Sequence, residues 1–200
     1  MATQKIFISA EQLMQDSVEL AQQILQSDFT PDYIVGVWRG GTPVGIAVQE
    51  TLDFFGVETD HISIRTSSYR GIEKQRSRVR VHGLSYLTKQ INAENSLLIV
   101  DDVFDTGLSV QAIVEKIHGR ARKNAPDRIK VATAYYKPTK NKSKMRPDFF
   151  VHETKEWLVF PHEVDGLTRE EIREHKPYLN RVIDALDGQV SPVKMADSEV

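Results

Sequence analysis

Ser96-Leu97-Leu98-Ile99-Val100-Asp101-Asp102-Val103-Phe104-Asp105-Thr106-Gly107-Leu108-Ser109 is the stretch that decides the fold. Leu97 to Val100 is an unbroken apolar run with no polar alternation, the pattern of a strand buried on both faces in a helix-covered parallel sheet. Two acids follow at once, then Asp105, then the small residues Thr106, Gly107 and Ser109. Carboxylates just beyond a buried strand are costly to desolvate unless they meet donors, cations or a ligand. From Val110 the pattern turns helical, with Ile113, Val114 and Ile117 on one side. The small residues therefore fall where a loop becomes a helix N-terminus, with unpaired N–H groups and a positive dipole end. Acids suited to sugar hydroxyls, then amides suited to a phosphate, make a cradle for ribose 5-phosphate. Taken alone, the same residues also fit a strand followed by an acidic turn that caps a helix.

Before this stretch, Lys5 to Ile8 is short and apolar, and Ser9 with Gln12 forms a capping-box pattern at a helix start. That helix is expected to bury Leu13, Val18, Leu20, Ala21, Ile24 and Leu25 and to end near Asp28, before Pro31. Tyr33 to Trp38 reads as a second buried strand, running into Arg39-Gly40-Gly41-Thr42-Pro43. A helix follows, with Pro43 in its first turn and Val44, Ile46, Ala47, Val48 and Leu52 behind it. Two glycines there permit a tight turn and close backbone approach to an anion, and Arg39 adds a fixed positive charge. His61 to Ile64 is a third strand, and Arg65 to about Gly83 is a basic, apolar-poor run that suits a solvated loop or hairpin.

After it, a helix over 108–123 leads to a strand from Arg128 to Tyr136 that Lys137-Pro138 terminates. Lys137 suits the carboxyl end of a strand, where open α/β sheets bind ligands, and equally an exposed loop, since Lys140, Lys142 and Lys144 follow. Phe149 to Val151 and Trp157 to Phe160 are strand-like, and Thr168-Arg169-Glu170-Glu171 is a capping box that opens a helix to about His175. Tyr178 to Leu186 suits a short helix, and the chain from Gly188 is polar. Strands alternating with helices predict an α/β, doubly wound domain with a mainly parallel sheet.

Two hundred residues suffice for one domain with a substantial core. A formal charge of −2 gives no support for a nucleic-acid or membrane-surface partner. The absence of cysteine excludes a disulfide framework and a thiolate metal site. With no long apolar window and no signal-peptide pattern, a soluble cytoplasmic protein is expected. The histidines show no metal-ligand spacing, and His152 and His162 read as structural or surface residues.

The full central string is four apolar residues, two acids, two apolar residues, then Asp-Thr-Gly-x-Ser. It resembles the ribose-phosphate loop of the type I phosphoribosyltransferases, and the likeness extends over about residues 5–175. Within that family the chain looks most like the purine enzymes acting on xanthine, guanine or hypoxanthine. The resemblance implies the type I phosphoribosyltransferase fold over 1–175, with a small base-binding hood from about 148–167, and the residue pattern leaves a C-terminal helix and polar tail over 176–200. It implies Mg²⁺-dependent transfer of 5-phosphoribosyl from 5-phosphoribosyl 1-pyrophosphate to N9 of a 6-oxopurine. Asp101, Asp102, Thr106, Gly107, Leu108 and Ser109 would then hold the ribose and its phosphate, and Asp105 would take the purine N7 proton.

Trp38, Arg39, Gly40 and Gly41 match the family's pyrophosphate loop, which implies a non-proline cis bond between Trp38 and Arg39. Ser68 and Tyr69 match the pair on the mobile lid, expected to be poorly ordered or hairpin-like without ligand. The lid's surplus cations, Arg70, Lys74, Arg76, Arg78 and Arg80, suit a polyanion. Lys137 matches the donor to the purine 6-oxo oxygen, Trp157 the aromatic that lies over the base, and Leu158 the main-chain reader of its 2-position. Glu163, with Asp101 and Asp102, is the implied metal set, although the family commonly has aspartate where Glu163 stands. The implied partners are the ribosyl donor and a free purine base, in a homodimer or homotetramer. The competing expectation is a regulator on the same fold that binds the donor or a nucleotide without catalysis.

Overall fold

The computed structural model describes residues 5–69 and 78–186, with the backbone alone at Ser68, Tyr69 and Arg78. Those residues form two compact units, one of 5–10 with 156–186 and the other Glu11–Lys155. The first of them opens with β1 (Lys5–Phe7).

The larger unit holds α1 (Ala10–Leu25), β2 (Tyr33–Trp38), α2 (Gly41–Phe54), β3 (Asp60–Tyr69) and β4 (Arg78–His82). It continues with α3 (Leu87–Gln90), β5 (Ser96–Phe104), α4 (Leu108–Ala121), β6 (Arg128–Tyr136) and β7 (Phe149–Glu153). Its strands form one sheet in the order β4-β3-β2-β5-β6-β7, so the decisive stretch lies inside the sheet. Every neighbouring pair is parallel except β3 with β4, a hairpin that pairs Arg65 with His82 through Tyr69 with Arg78. Leu97 to Val100 are wholly buried, as their run without alternation requires. Around them Val35, Val37, Ile64, Ile113, Ile117 and Val131 close one continuous core. Each such aliphatic side chain contributes about 1.5–3 kcal/mol relative to exposure.

β5 extends past the predicted Val100 to Phe104, so both acids belong to the strand rather than to the turn after it. The cause is the register. β2 stays paired with β5 only as far as Gly36 opposite Val100, while β6 continues to Tyr136 opposite Phe104. Asp101 and Asp102 thus lie in the segment where β5 has lost its β2 neighbour and kept its β6 neighbour.

α1 departs from expectation at two points. Val18 is exposed, whereas Asp16 and Ser17 are buried with Leu13, Leu20, Ala21 and Ile24. Positions 13, 17, 20, 21 and 24 repeat every three to four residues and share one face, and Val18 falls about 100° beyond Ser17. Ser17 Oγ satisfies itself on the Leu13 carbonyl at 2.6 Å. The Asp16 carboxylate accepts from Gln12 Nε2 and from His152 Nε2, each at 2.8 Å, which gives His152 the structural duty expected of it. The helix stops at Leu25 instead of Asp28 because Ser27 Oγ donates to the Ile24 carbonyl at 2.7 Å and accepts from Phe29 N at 3.1 Å.

In the smaller unit β1 pairs in parallel with β8 (Trp157–Val159), and Ile8 N–H extends the ladder to the Val159 carbonyl at 2.9 Å. α5 (Arg169–His175) starts with the predicted capping box, Thr168 with Glu171. Glu171 also meets Lys5 Nζ at 2.7 Å, and His175 stacks on Phe7 with ring centres 3.8 Å apart. α6 (Asn180–Leu186) closes the described chain. The expected hood over about 148–167 differs from this unit at its start. Phe149–Glu153 pairs with β6 and is an edge strand of the large sheet.

Candidate active site

The turn after β2 and the end of β5 build the first half of the site. The Trp38–Arg39 peptide is cis, as the resemblance implied. Both side chains are exposed, while Gly40 and Gly41 are buried. A Cβ on Gly40 would run into the Asp102 carboxylate, and one on Gly41 would strike the Val100 carbonyl and stand 2.8 Å from Asp101 Cα. The two glycines therefore let the β2 turn close onto the acids of β5. Asp102 N donates to Asp101 Oδ1 at 3.0 Å, and Val103 N donates to Asp102 Oδ1 at 2.8 Å. Burial, then the Asp102 charge beside it, push the Asp101 carboxyl well above the usual carboxylate range, against the opposing pull of the Asp102 and Gly41 amides.

Two expected results follow from this packing. Gly41→Ala tests whether the close approach outweighs helix propensity, since alanine in place of glycine would otherwise favour α2 by about 1 kcal/mol. The atoms in the way are backbone and cannot swing aside, so the variant is expected to be less stable by about 1–3 kcal/mol in urea unfolding. An unchanged or raised midpoint refutes this. Asp101→Asn is expected to act in the opposite direction. A carboxyl whose folded pKa is raised contributes stability that is present below its unfolded value and is lost as pH rises through the folded one. The wild type therefore carries the charged-form penalty at neutral pH, and the amide does not. Asp101→Asn should melt higher than wild type at pH 7, with the difference closing below about pH 4. Parallel melting curves across that range would contradict it.

The second half is the turn from Asp105 to Ser109. Gly107 adopts φ +71°, and a Cβ there would meet Ser143 Oγ and the Phe104 ring, so only glycine fits. Gly107 is also the residue before α4 and has no side chain with which to cap it, and the amides of that first turn suit an external anion. Thr106 Oγ1 lies 3.5 Å from Leu108 N. Lys137, at the end of β6, is 5% exposed, which removes the exposed-loop alternative. Its Nζ is 3.4 Å from Asp105 Oδ2, and its N–H donates to the Phe104 carbonyl at 2.9 Å. A buried ammonium needs such a partner. Two candidates 32 residues apart in sequence are thereby brought together at one sheet end.

The other candidates are placed as follows. Ser68 and Tyr69 pair through the backbone with Val79 and Arg78 at the far end of the β3–β4 hairpin, which agrees with the hairpin expectation. Their side chains, and Arg70, Lys74 and Arg76, lie outside the described residues. In the smaller unit Trp157 is exposed, unlike a core tryptophan, and Leu158 beside it is buried. Glu163 Oε2 accepts from Phe160 N at 3.0 Å, so this carboxylate closes its own turn. Next to that turn Lys176 is buried and donates to the Phe160 and Pro161 carbonyls at 2.8 and 3.2 Å. Burial lowers the Lys176 pKa, and the Glu163 charge opposes the shift.

Among the described residues no three acids or histidines group as a metal cage. Paired hard carboxylates at Asp101 and Asp102 nevertheless fit Mg²⁺, which commonly takes one or two carboxylates and completes its shell with substrate phosphate and water. Sequence reasoning missed the segment Asn141–Met145, whose Lys142 N–H donates to the Thr106 carbonyl at 2.9 Å. The Asn-x-Ser spacing carries a turn signal that the flanking lysines obscured.

A family model described as "Phosphoribosyl transferase domain" matches residues 5–166. The chain belongs to that family, and its α/β architecture is the type I phosphoribosyltransferase fold. It is 29% identical over 162 residues to the xanthine-guanine phosphoribosyltransferase of Desulfotalea psychrophila, covering 80% of this chain and 86% of that one. It is 25% identical over 168 residues to the hypoxanthine-guanine phosphoribosyltransferase of Bacillus subtilis, covering 83% and 87%. The crystal structure of a purine phosphoribosyltransferase from Pyrococcus horikoshii superposes with a TM-score of 0.65 at 25% identity, covering 82% of this chain and 98% of that one.

Proposed function

We propose that the chain transfers 5-phosphoribosyl from 5-phosphoribosyl 1-pyrophosphate to N9 of hypoxanthine, xanthine or guanine, releasing pyrophosphate. The observation that carries this is the buried Lys137 ammonium 3.4 Å from the Asp105 carboxylate, beside the turn that opens α4. An ammonium has three donors and no acceptor. It satisfies a 6-oxo oxygen and cannot accept from the amine of adenine. A carboxylate beside it can accept the N7 proton as N9 forms the new bond.

The pyrophosphate bond stretches first, so positive charge grows on the sugar, as in glycosyl transfer generally. Asp101 and Asp102 accept from the 2- and 3-hydroxyls. The amides of Thr106 to Ser109, with the Thr106 and Ser109 hydroxyls, hold the 5-phosphate. Arg39, with the amides of Gly40 and Gly41, balances charge on the departing pyrophosphate. Mg²⁺, held by Asp101 and Asp102, supplies Lewis-acid neutralisation of that charge when bound. Trp157 and Leu158, in the smaller unit, carry the base-stacking and C2-reading roles that the resemblance implies, and the Trp157 ring is exposed. Ser68 and Tyr69 on the hairpin exclude water from the activated sugar.

The test is pyrophosphate release from the ribosyl donor with Mg²⁺, across a panel of free purines and pyrimidines. Release with 6-oxopurines alone is expected. Tight binding of the donor or of a nucleoside monophosphate without turnover on any base would replace this proposal with the regulator.

A further inference from the structure

We propose that Asn141 is a positioning residue for the 5-phosphate, acting through Lys142 and Ser143 on the Thr106–Gly107 peptide. The inference rests on the function proposed above. Asn141 is the hub of the connection between β6 and β7. Its Oδ1 accepts from Ser143 N and from Ser143 Oγ, each at 2.9 Å, and its Nδ2 donates to the Met145 carbonyl at 2.8 Å. Ser143 Oγ also accepts from Met145 N at 3.2 Å. These bonds close residues 141–145 on themselves with a side chain whose donors and acceptor are both used.

The closed segment touches the phosphate turn twice. Lys142 N–H donates to the Thr106 carbonyl at 2.9 Å, and Ser143 Oγ occupies the space a side chain on residue 107 would need. In a trans peptide the C=O and the following N–H point in opposite directions. Among the described residues Trp38–Arg39 is the cis bond, so the Thr106–Gly107 peptide is trans. Holding its carbonyl toward Lys142 therefore aims the Gly107 N–H the other way, out of the clamp. Gly107 holds φ +71°, and Ser143 Oγ and the Phe104 ring fill the space where a Cβ would stand, so the bond from Lys142 N to the Thr106 carbonyl is what fixes this peptide's direction. A phosphate dianion gains most from donors already fixed in direction. Asn141 supplies that rigidity without touching the ligand.

The experiment compares Asn141→Ala with wild type in three measurements: steady-state kinetics, binding of inosine and inosine 5′-monophosphate, and thermal unfolding. The expected result is a KM for the ribosyl donor raised about 10–100-fold, the scale of losing one charge-assisted hydrogen bond, with kcat within about threefold. Affinity for the monophosphate should fall by the same factor, and affinity for inosine should not change. Equal losses for both ligands, or an unchanged donor KM, overturn the proposal, because a merely structural role cannot single out the phosphate. Asn141→Asp keeps the acceptor for Ser143 and loses the donor to Met145, so an intermediate donor KM is expected. It carries the test if the alanine variant does not fold, and if neither folds Asn141 serves global stability and the proposal is overturned. A wild type that neither binds the monophosphate nor releases pyrophosphate rejects the function itself. A wild type that does both, matched by Asn141→Ala, rejects the clamp alone.

Discussion

Asp105→Asn is expected to lower kcat with a 6-oxopurine by about 10²–10⁴-fold while the KM for the ribosyl donor stays within a few-fold. The substitution is close to isosteric. Its amide oxygen still accepts from Lys137 Nζ, which stands 3.4 Å from the carboxylate, so the packing around the buried lysine is retained. What is lost is a group that can take a proton at neutral pH. That group matters only once N9 begins to bond to the sugar and N7 becomes acidic. Binding of the donor precedes this and does not use it. Steady-state kinetics with each substrate varied in turn separate the two cases. Equal losses in kcat and in donor affinity would show that Asp105 only positions the sugar.

Lys137→Met is expected to reduce kcat/KM for hypoxanthine by about 10–100-fold, with donor binding measured without base nearly unchanged. Methionine has a similar length and fills the space of a side chain that is almost wholly buried, so no large cavity opens. The ammonium is the donor assigned to the 6-oxo oxygen, and its removal leaves that oxygen desolvated and unpaired. It also leaves the Asp105 carboxylate without its cation. The lost contact acts in both the bound state and the transition state, so it is read in kcat/KM. A rise in kcat with an unchanged base KM would reverse this assignment.

Much of the large unit was legible as local pattern. β2 and β6 lie at their predicted bounds because each ends at a hard stop, Arg39-Gly40 in one case and Lys137-Pro138 in the other. The turn from Asp105 to Ser109 was equally plain, since Gly107 and the helix behind it are encoded within a few residues. α1 was legible as a helix but not in its facing, because burial of Asp16 depends on His152, far along the chain. The extent of β5 was hidden for the same reason. A strand carries acids in its last residues only when the partner on one side has already turned away.

The local choices belong to the sequence by itself: strand cores from unbroken apolar runs, turns from glycine and proline, helix starts from capping residues, and the order Asp-Asp, Asp-Thr-Gly that suits a phosphorylated sugar. Those follow from interactions within one or two turns of chain. The tertiary structure decided everything that needs two distant segments in contact. It paired Lys137 with Asp105, seated Gly40 and Gly41 against the acids of β5, and laid Lys142 on the Thr106 carbonyl. Such contacts depend on strand order and register, and both are set by the packing of the whole sheet rather than by the residues that meet.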